Sequence, residues 1–125
     1  MSRLITDNLK RLGWMFLAVL VGTLLDYGVH LISPAFAVPD YYFRNKIIYA
    51  MLWLLVGLAI FWRVRSPEYK ALWVTLSLAV ILQTHYYLVG YPLWFVLFFA
   101  LVHFVVFLLP VYVIFRRNRT LFGIS

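Results

Sequence analysis

The chain has 125 residues, of which 66% are hydrophobic, 20% aromatic and only 12% charged, and it contains no cysteine. Soluble domains carry about 25% charged residues, so this composition indicates an integral membrane protein. The lack of cysteine excludes disulfides, thiolate metal sites and cysteine nucleophiles. The formal net charge of +7 lies at the ends of apolar segments, which favours contact with anionic lipid over binding of nucleic acid.

Four segments are apolar over the length of about 20 residues that a membrane-spanning helix needs. We predict one all-α domain, a four-transmembrane-helix bundle with spans at 12–32, 40–62, 67–89 and 92–115. The basic N-terminus followed by an apolar segment is also typical of a signal peptide. Because that segment is about 20 residues long and no small-x-small cleavage site follows it, we interpret it as a retained first span.

Local sequence signals support the ends of these spans. Asp40 suits a helix start, because a carboxylate stabilises the positive end of the helix dipole. Ser66 is a predicted N-cap, with Pro67 as the first helical residue and Glu68 in the first turn. Residues 90–92, Gly-Tyr-Pro, leave room only for a tight turn, so spans three and four are predicted to form an antiparallel hairpin.

The distribution of basic residues predicts how the bundle is oriented. Only two basic residues fall on one side of the four spans, and nine fall on the other. Because basic residues concentrate in cytoplasmic loops, we predict a multi-pass plasma (inner) membrane protein with both termini in the cytoplasm. The cytoplasmic set is Arg3, Lys10, Arg11, Arg63, Arg65, Lys70, Arg116, Arg117 and Arg119, and the outer pair is Arg44 and Lys46.

Polar side chains inside the spans are the candidate functional residues, because placing them in a bilayer is costly. Counting inward from the outer span ends, at about 1.5 Å per residue, separates them into three levels. The levels are His30 and His85 nearest the outer surface; Asp26, Lys46 and Gln83 about 9–10 Å deep; and His103 about 16 Å deep, near the midplane.

Two interpretations of the outer residues are open. In a structural role, Asp26 pairs with Lys46 and fixes the register of the helices, with Gln83 or Tyr49 completing the hydrogen bonds. In a functional role, the same residues line a polar pocket in which Asp26 changes protonation or binds a cationic group. Either way, Asp26 should face the bundle interior, with Lys46 as its nearest cation.

The histidines suggest a metal site as a further hypothesis. Asp26 and His30 are four residues apart, so they share a helix face, and carboxylate and imidazole groups suit zinc or copper. His85 is the candidate third ligand, although Gln83 and His85 lie about 200° apart around their helix, so both cannot face one centre. His103 is a candidate contact for a quinone or a proton, or else a packing residue bonded to a neighbouring helix.

Two short stretches resemble a known family. LVGTLLDYGVHLI in the first span and YVIFRR at the end of the fourth are similar to the opening and closing stretches of the GtrA family, small membrane proteins linked to polyprenyl-phosphate sugar transfer. The resemblance implies handling of a lipid-linked sugar. The family's Asn-rich turn has no counterpart in LAIFWRVR, and no functional residue carries over.

The sequence lacks a Gly-rich phosphate loop, HExxH, GxSxG and a paired acidic motif, so we predict no enzymatic activity and assign no cofactor. We predict a non-enzymatic accessory or lipid-handling component of a larger membrane complex, with membrane lipids and either a second copy or other subunits as partners. One alternative is an oligomeric transporter or channel subunit that uses the Asp26/Lys46 pocket. Another is a metal- or quinone-binding subunit that uses the histidines.

Overall fold

The computed structural model describes residues 2–125, and within them the chain is helical, without strands. All four long helices have the length and apolar composition to cross a membrane, which confirms the predicted four-helix membrane fold. The helices are α1 (Ser2–His30), α2 (Tyr41–Ile60), α3 (Pro67–Val89) and α4 (Leu93–Arg117), and short 3-10 helices follow at Pro34–Phe36 and Thr120–Phe122.

The helix α3 covers the same residues as the predicted third span, whereas α1 differs most from its predicted span. α1 begins at Ser2 rather than at residue 12, because residues 2–11 contain neither glycine nor proline to interrupt a helix. It ends at His30, two residues earlier than predicted, and α2 ends at Ile60 rather than at residue 62.

α3 and α4 form the predicted tight hairpin, and local capping explains where α3 begins and ends. The Ser66 hydroxyl accepts a hydrogen bond from the Tyr69 amide at 3.3 Å. At the other end, Gly90 adopts a left-handed conformation with φ of 103°, and the Tyr91 amide donates to the Tyr86 carbonyl at 3.2 Å. This bonding closes the helix and turns the chain directly into α4.

The C-terminal residues close one end of the bundle, which we call the basic end. Arg11 Nε donates to the Leu121 carbonyl at 2.7 Å. The buried Lys70 ammonium donates to the carbonyls of Trp62 at 2.8 Å and Phe122 at 2.6 Å. The N-terminal part of α1, the α2–α3 loop and residues 118–125 therefore meet at the basic end, and residues 31–40 and 90–92 lie at the opposite end.

Apolar side chains fill the bundle and also cover its outer surface. Met15, Leu54 and Phe107 are fully buried, whereas Leu24 and Leu97 are 68% and 62% exposed. Helices that are hydrophobic on all sides belong in a lipid environment, so the chain is a multi-pass membrane protein by helix length and composition.

The side of the membrane that the basic end faces is a testable prediction. Because the chain has no cysteine, a single introduced thiol reports on its own position. Ala35→Cys, in the segment between α1 and α2, should react with a membrane-impermeant maleimide on intact cells, and Ser125→Cys should react only after permeabilisation. The reverse pattern would contradict cytoplasmic termini.

Candidate functional site

Five buried polar side chains, drawn from all four helices, meet near the end of the bundle opposite the basic end. None of them is more than 5% exposed, so each has to find its partners within the protein. We call this group the polar cluster, and its members are Asp26 and His30 of α1, Lys46 of α2, Gln83 of α3 and His103 of α4.

Asp26 lies at the centre of the polar cluster. Its Oδ2 accepts a hydrogen bond from the Lys46 ammonium, and the His30 Nε2 lies 3.5 Å from the same oxygen. Its other oxygen, Oδ1, is 3.3 Å from the His103 Nε2. Asp26 thus faces the bundle interior with Lys46 as its nearest cation, which confirms the expected register of α1 and α2.

Hydrogen bonds around His103 determine which of its nitrogens carries the proton. Gln83 Nε2 donates to the Val96 carbonyl, so the Gln83 Oε1 is free to accept from the His103 Nδ1 at 2.6 Å. His103 Nε2 is then a lone-pair acceptor, and the Lys46 ammonium lies 3.0 Å from it. Gln83 therefore acts on Asp26 and Lys46 only through the imidazole of His103.

His30 is held in the same way. Its Nδ1 donates to the backbone carbonyl of Phe36, which leaves Nε2 as a lone pair that faces Asp26 without a hydrogen-bond partner. The ring stacks on Phe99, with centroids 4.1 Å apart and planes 6° from parallel. At 4% exposed, His30 is a packed side chain rather than a hydrated interfacial one.

His103 contacts Asp26 although counting along the helices placed the two residues on different levels, because the helix ends are not level. The His30 ring, in the last turn of α1, stacks on Phe99, which lies in the second turn of α4. The end of α1 is therefore level with the second turn of α4 and not with its first residue. The segment 31–40 folds back over this end of α1, and the Phe36 ring stacks on Phe98 with centroids 5.0 Å apart. Counting from each helix end therefore places Asp26 too far from His103.

His85 lies outside the polar cluster, and so does Tyr49, which is 53% exposed. His85 is exposed on α3, as the angular separation from the buried Gln83 requires. The ligand set of Asp26, His30 and His85 is therefore not brought together. The structure instead groups Asp26 and His30 with His103, and one ligand atom from each of these three lies within 4.8 Å of the others.

A cleft of about 570 Å³ runs between α2 and α3 beside the polar cluster. Lys46 lines this cleft and also binds Asp26, so it joins the two features. The buried Tyr86 hydroxyl has no hydrogen-bond partner within residues 2–125, and the Tyr86 ring stacks on the His103 ring at 5.7 Å. The walls are Tyr41, Tyr42, Asn45, Lys46, Tyr49, Trp53, Ile81, Leu82, His85, Tyr86 and Val89.

Lys46 and His85, two of the residues predicted to line a polar pocket, line this cleft, but its aromatic walls and Tyr86 were not predicted from the sequence. A signal was present, since Tyr41, Asn45, Tyr49 and Trp53 recur every four residues on α2 and so share one helix face. Aromatic residues at such spacing also occur on ordinary packed or lipid-facing surfaces, so the pattern alone does not identify a cleft.

No protein-family model, curated protein or solved structure matches this chain. Its function is therefore inferred from the polar cluster, the cleft and the sequence.

Proposed function

We propose that the protein is a non-enzymatic membrane component that binds one amphiphilic molecule, a lipid or lipid-linked compound, in the cleft between α2 and α3. The observation that carries this proposal is the change in polarity along the cleft. Its volume of about 570 Å³ also falls within the range of about 300–1,000 Å³ that is usual for small-molecule sites.

The cleft has a polar part near the helix ends and an apolar part deeper in the bundle. Asn45 and His85 lie in the part nearer the helix ends, while Trp53 and Ile81 line the deeper part. From Tyr41 to Trp53 the cleft follows α2 over about 18 Å. A polar headgroup fits the first part, and an acyl or prenyl chain fits the second.

Lys46 supplies the contact that selects the headgroup. An ammonium has three donors; in this protein one faces Asp26 and another faces the His103 Nε2. The third remains for an acceptor oxygen in the cleft, such as that of a phosphate, carbonyl or hydroxyl group. The Asp26 carboxylate already balances the positive charge of Lys46. Lys46 therefore recognises this oxygen mainly through a hydrogen bond and less through electrostatic attraction between net charges.

The resemblance to the GtrA family agrees with this ligand class, because it implies a lipid-linked sugar, and a sugar-carrying ligand stays a prediction. Accessory assembly with other subunits, an oligomeric transporter, and placement of the cleft on the outer side of the plasma membrane also stay predictions.

Blocking the cleft tests the proposal. Asn45→Trp should fill the polar part and abolish the lipid that copurifies in mild detergent, as measured by native mass spectrometry and lipid extraction. Ile48→Trp is the matched control, because Ile48 lies on the same helix, is 61% exposed and is not part of the cleft wall.

The two variants have to differ for the proposal to hold. Retention of the same lipid by Asn45→Trp and by the unmodified protein would overturn it, and so would the absence of any stoichiometric lipid from the unmodified protein. Equal loss from both tryptophan variants would indicate nonspecific annular lipid, which also overturns it.

A further inference from the structure

We propose that Asp26, His30 and His103 form a binding site for one divalent transition-metal ion such as Zn²⁺, and that the Lys46 ammonium occupies the centre of this site in the metal-free protein. The site is distinct from the lipid cleft and shares only Lys46 with it.

The donor set is complete and already oriented. A carboxylate oxygen and the two histidine Nε2 atoms lie within 4.8 Å of one another, and all three residues are buried. Each histidine uses Nδ1 to donate to a carbonyl oxygen, that of Phe36 or of the Gln83 side chain. Metal-binding histidines in proteins are typically fixed by such a bond from the opposite ring nitrogen.

Two atoms of the polar cluster without hydrogen-bond partners favour a cation placed between these groups. Both Nε2 lone pairs face the Asp26 carboxylate at 3.3 and 3.5 Å, so acceptor faces acceptor unless a positive group lies between them. Lys46 contacts Asp26 Oδ2 and the His103 Nε2. Asp26 Oδ1 and His30 Nε2 have no hydrogen-bond partner among the described residues. A metal ion bound by all three residues would also contact the atoms that Lys46 leaves without a partner.

Metal binding requires Lys46 to leave the centre. A divalent ion beside one carboxylate carries a net charge of +1, and an ammonium at the same place would add a second uncompensated charge in a low-dielectric interior. Lys46 has a long flexible stem and already lines the cleft, so its ammonium can move there. Three protein ligands leave a fourth position for water on the side that Lys46 vacates.

The proposal is tested by Zn²⁺ titration of the purified protein, free of any polyhistidine tag, with calorimetry and elemental analysis. We expect one ion per chain, and tighter binding by Lys46→Met, because that variant removes the competing ammonium. His30→Gln and His103→Gln should each lose the ion. Gln83→Leu should weaken binding by about 10–100-fold, as is usual when the partner of a ligating histidine is removed.

His85→Gln provides the matched control, because His85 is an exposed histidine outside the polar cluster. It should bind Zn²⁺ like the unmodified protein. Circular dichroism of each variant verifies that it is folded. The proposal is overturned if neither the unmodified protein nor folded Lys46→Met binds Zn²⁺, or if His85→Gln loses the ion while His30→Gln keeps it. Weaker binding by Lys46→Met would also contradict it.

Discussion

Replacing Lys46 with methionine is expected to lower the free energy of unfolding by about 3–5 kcal/mol, the usual cost of breaking a buried ion pair from one side. Methionine preserves much of the apolar stem and removes the ammonium. Asp26 is fully buried, so its carboxylate would lose the cation that compensates it. Unfolding of the purified protein by SDS in mixed micelles, with a chelator present, measures the change.

Two further variants separate this effect from loss of packing. Asp26→Leu with Lys46→Met replaces the pair by apolar groups and should recover most of the loss, because such replacements are often neutral or stabilising. Lys70→Met removes a buried ammonium that contacts two carbonyls, so its cost should be nearer about 1–3 kcal/mol. If the double variant unfolds as easily as Lys46→Met, the loss does not come from the unpaired charge.

Adding Zn²⁺ to Lys46→Met should change its free energy of unfolding in the opposite direction. A metal bound in place of the ammonium would compensate Asp26 again, so Lys46→Met should regain stability as Zn²⁺ is added, because a ligand of the folded state stabilises it. The pair Asp26→Leu with Lys46→Met lacks the carboxylate ligand and should show no such gain.

The second large effect is expected from Gly22→Ala, which should cost about 1–3 kcal/mol through overpacking. A Cβ at Gly22 would lie 2.6 Å from the Phe107 Cε1, which is closer than two non-bonded carbon atoms approach each other in proteins. Phe107 is fully buried, so its ring has little room to move away. The close contact between α1 and α4 therefore depends on the missing side chain.

Gly28→Ala is the control, because Gly28 is in the same helix and a Cβ there would meet no heavy atom within 4 Å. Alanine favours the helix over glycine, so this variant should be as stable as the original protein or more stable, by up to about 1 kcal/mol. Adding Phe107→Leu to Gly22→Ala should restore part of the loss. Equal unfolding curves for Gly22→Ala and Gly28→Ala would mean that α1 and α4 are not this close.

The number of helices and the ends of α3 could be predicted because the signals for them are local. Span length follows from apolar composition, and the ends of α3 follow from Ser66 and Gly90, whose roles depend on a few neighbouring residues. The start of α1 at Ser2 did not follow from the predicted span, because hydropathy marks the membrane core, whereas a helix can extend beyond it without a stop signal.

The candidate site was only partly predictable. Asp26 and Lys46 lie on consecutive helices, and their similar depth was enough to pair them. The place of His103 could not be found by counting, because the level of α1 relative to α4 depends on how Phe36 and the rest of residues 31–40 fold back. Which histidine lies beside Asp26, His85 or His103, is thus determined by the tertiary packing of the helices and not by a local sequence signal.

The closure of the basic end has a consequence for exchange across the membrane. Layers of buried apolar side chains, among them Met15, Leu54 and Phe107, separate the polar cluster from the end where Lys70 binds the Phe122 carbonyl. The cleft beside Lys46, by contrast, lies toward the other end. For the proposed metal and lipid sites we therefore expect ligand exchange only at the end opposite the basic end, so that a single copy would release a ligand on the side from which it was taken up.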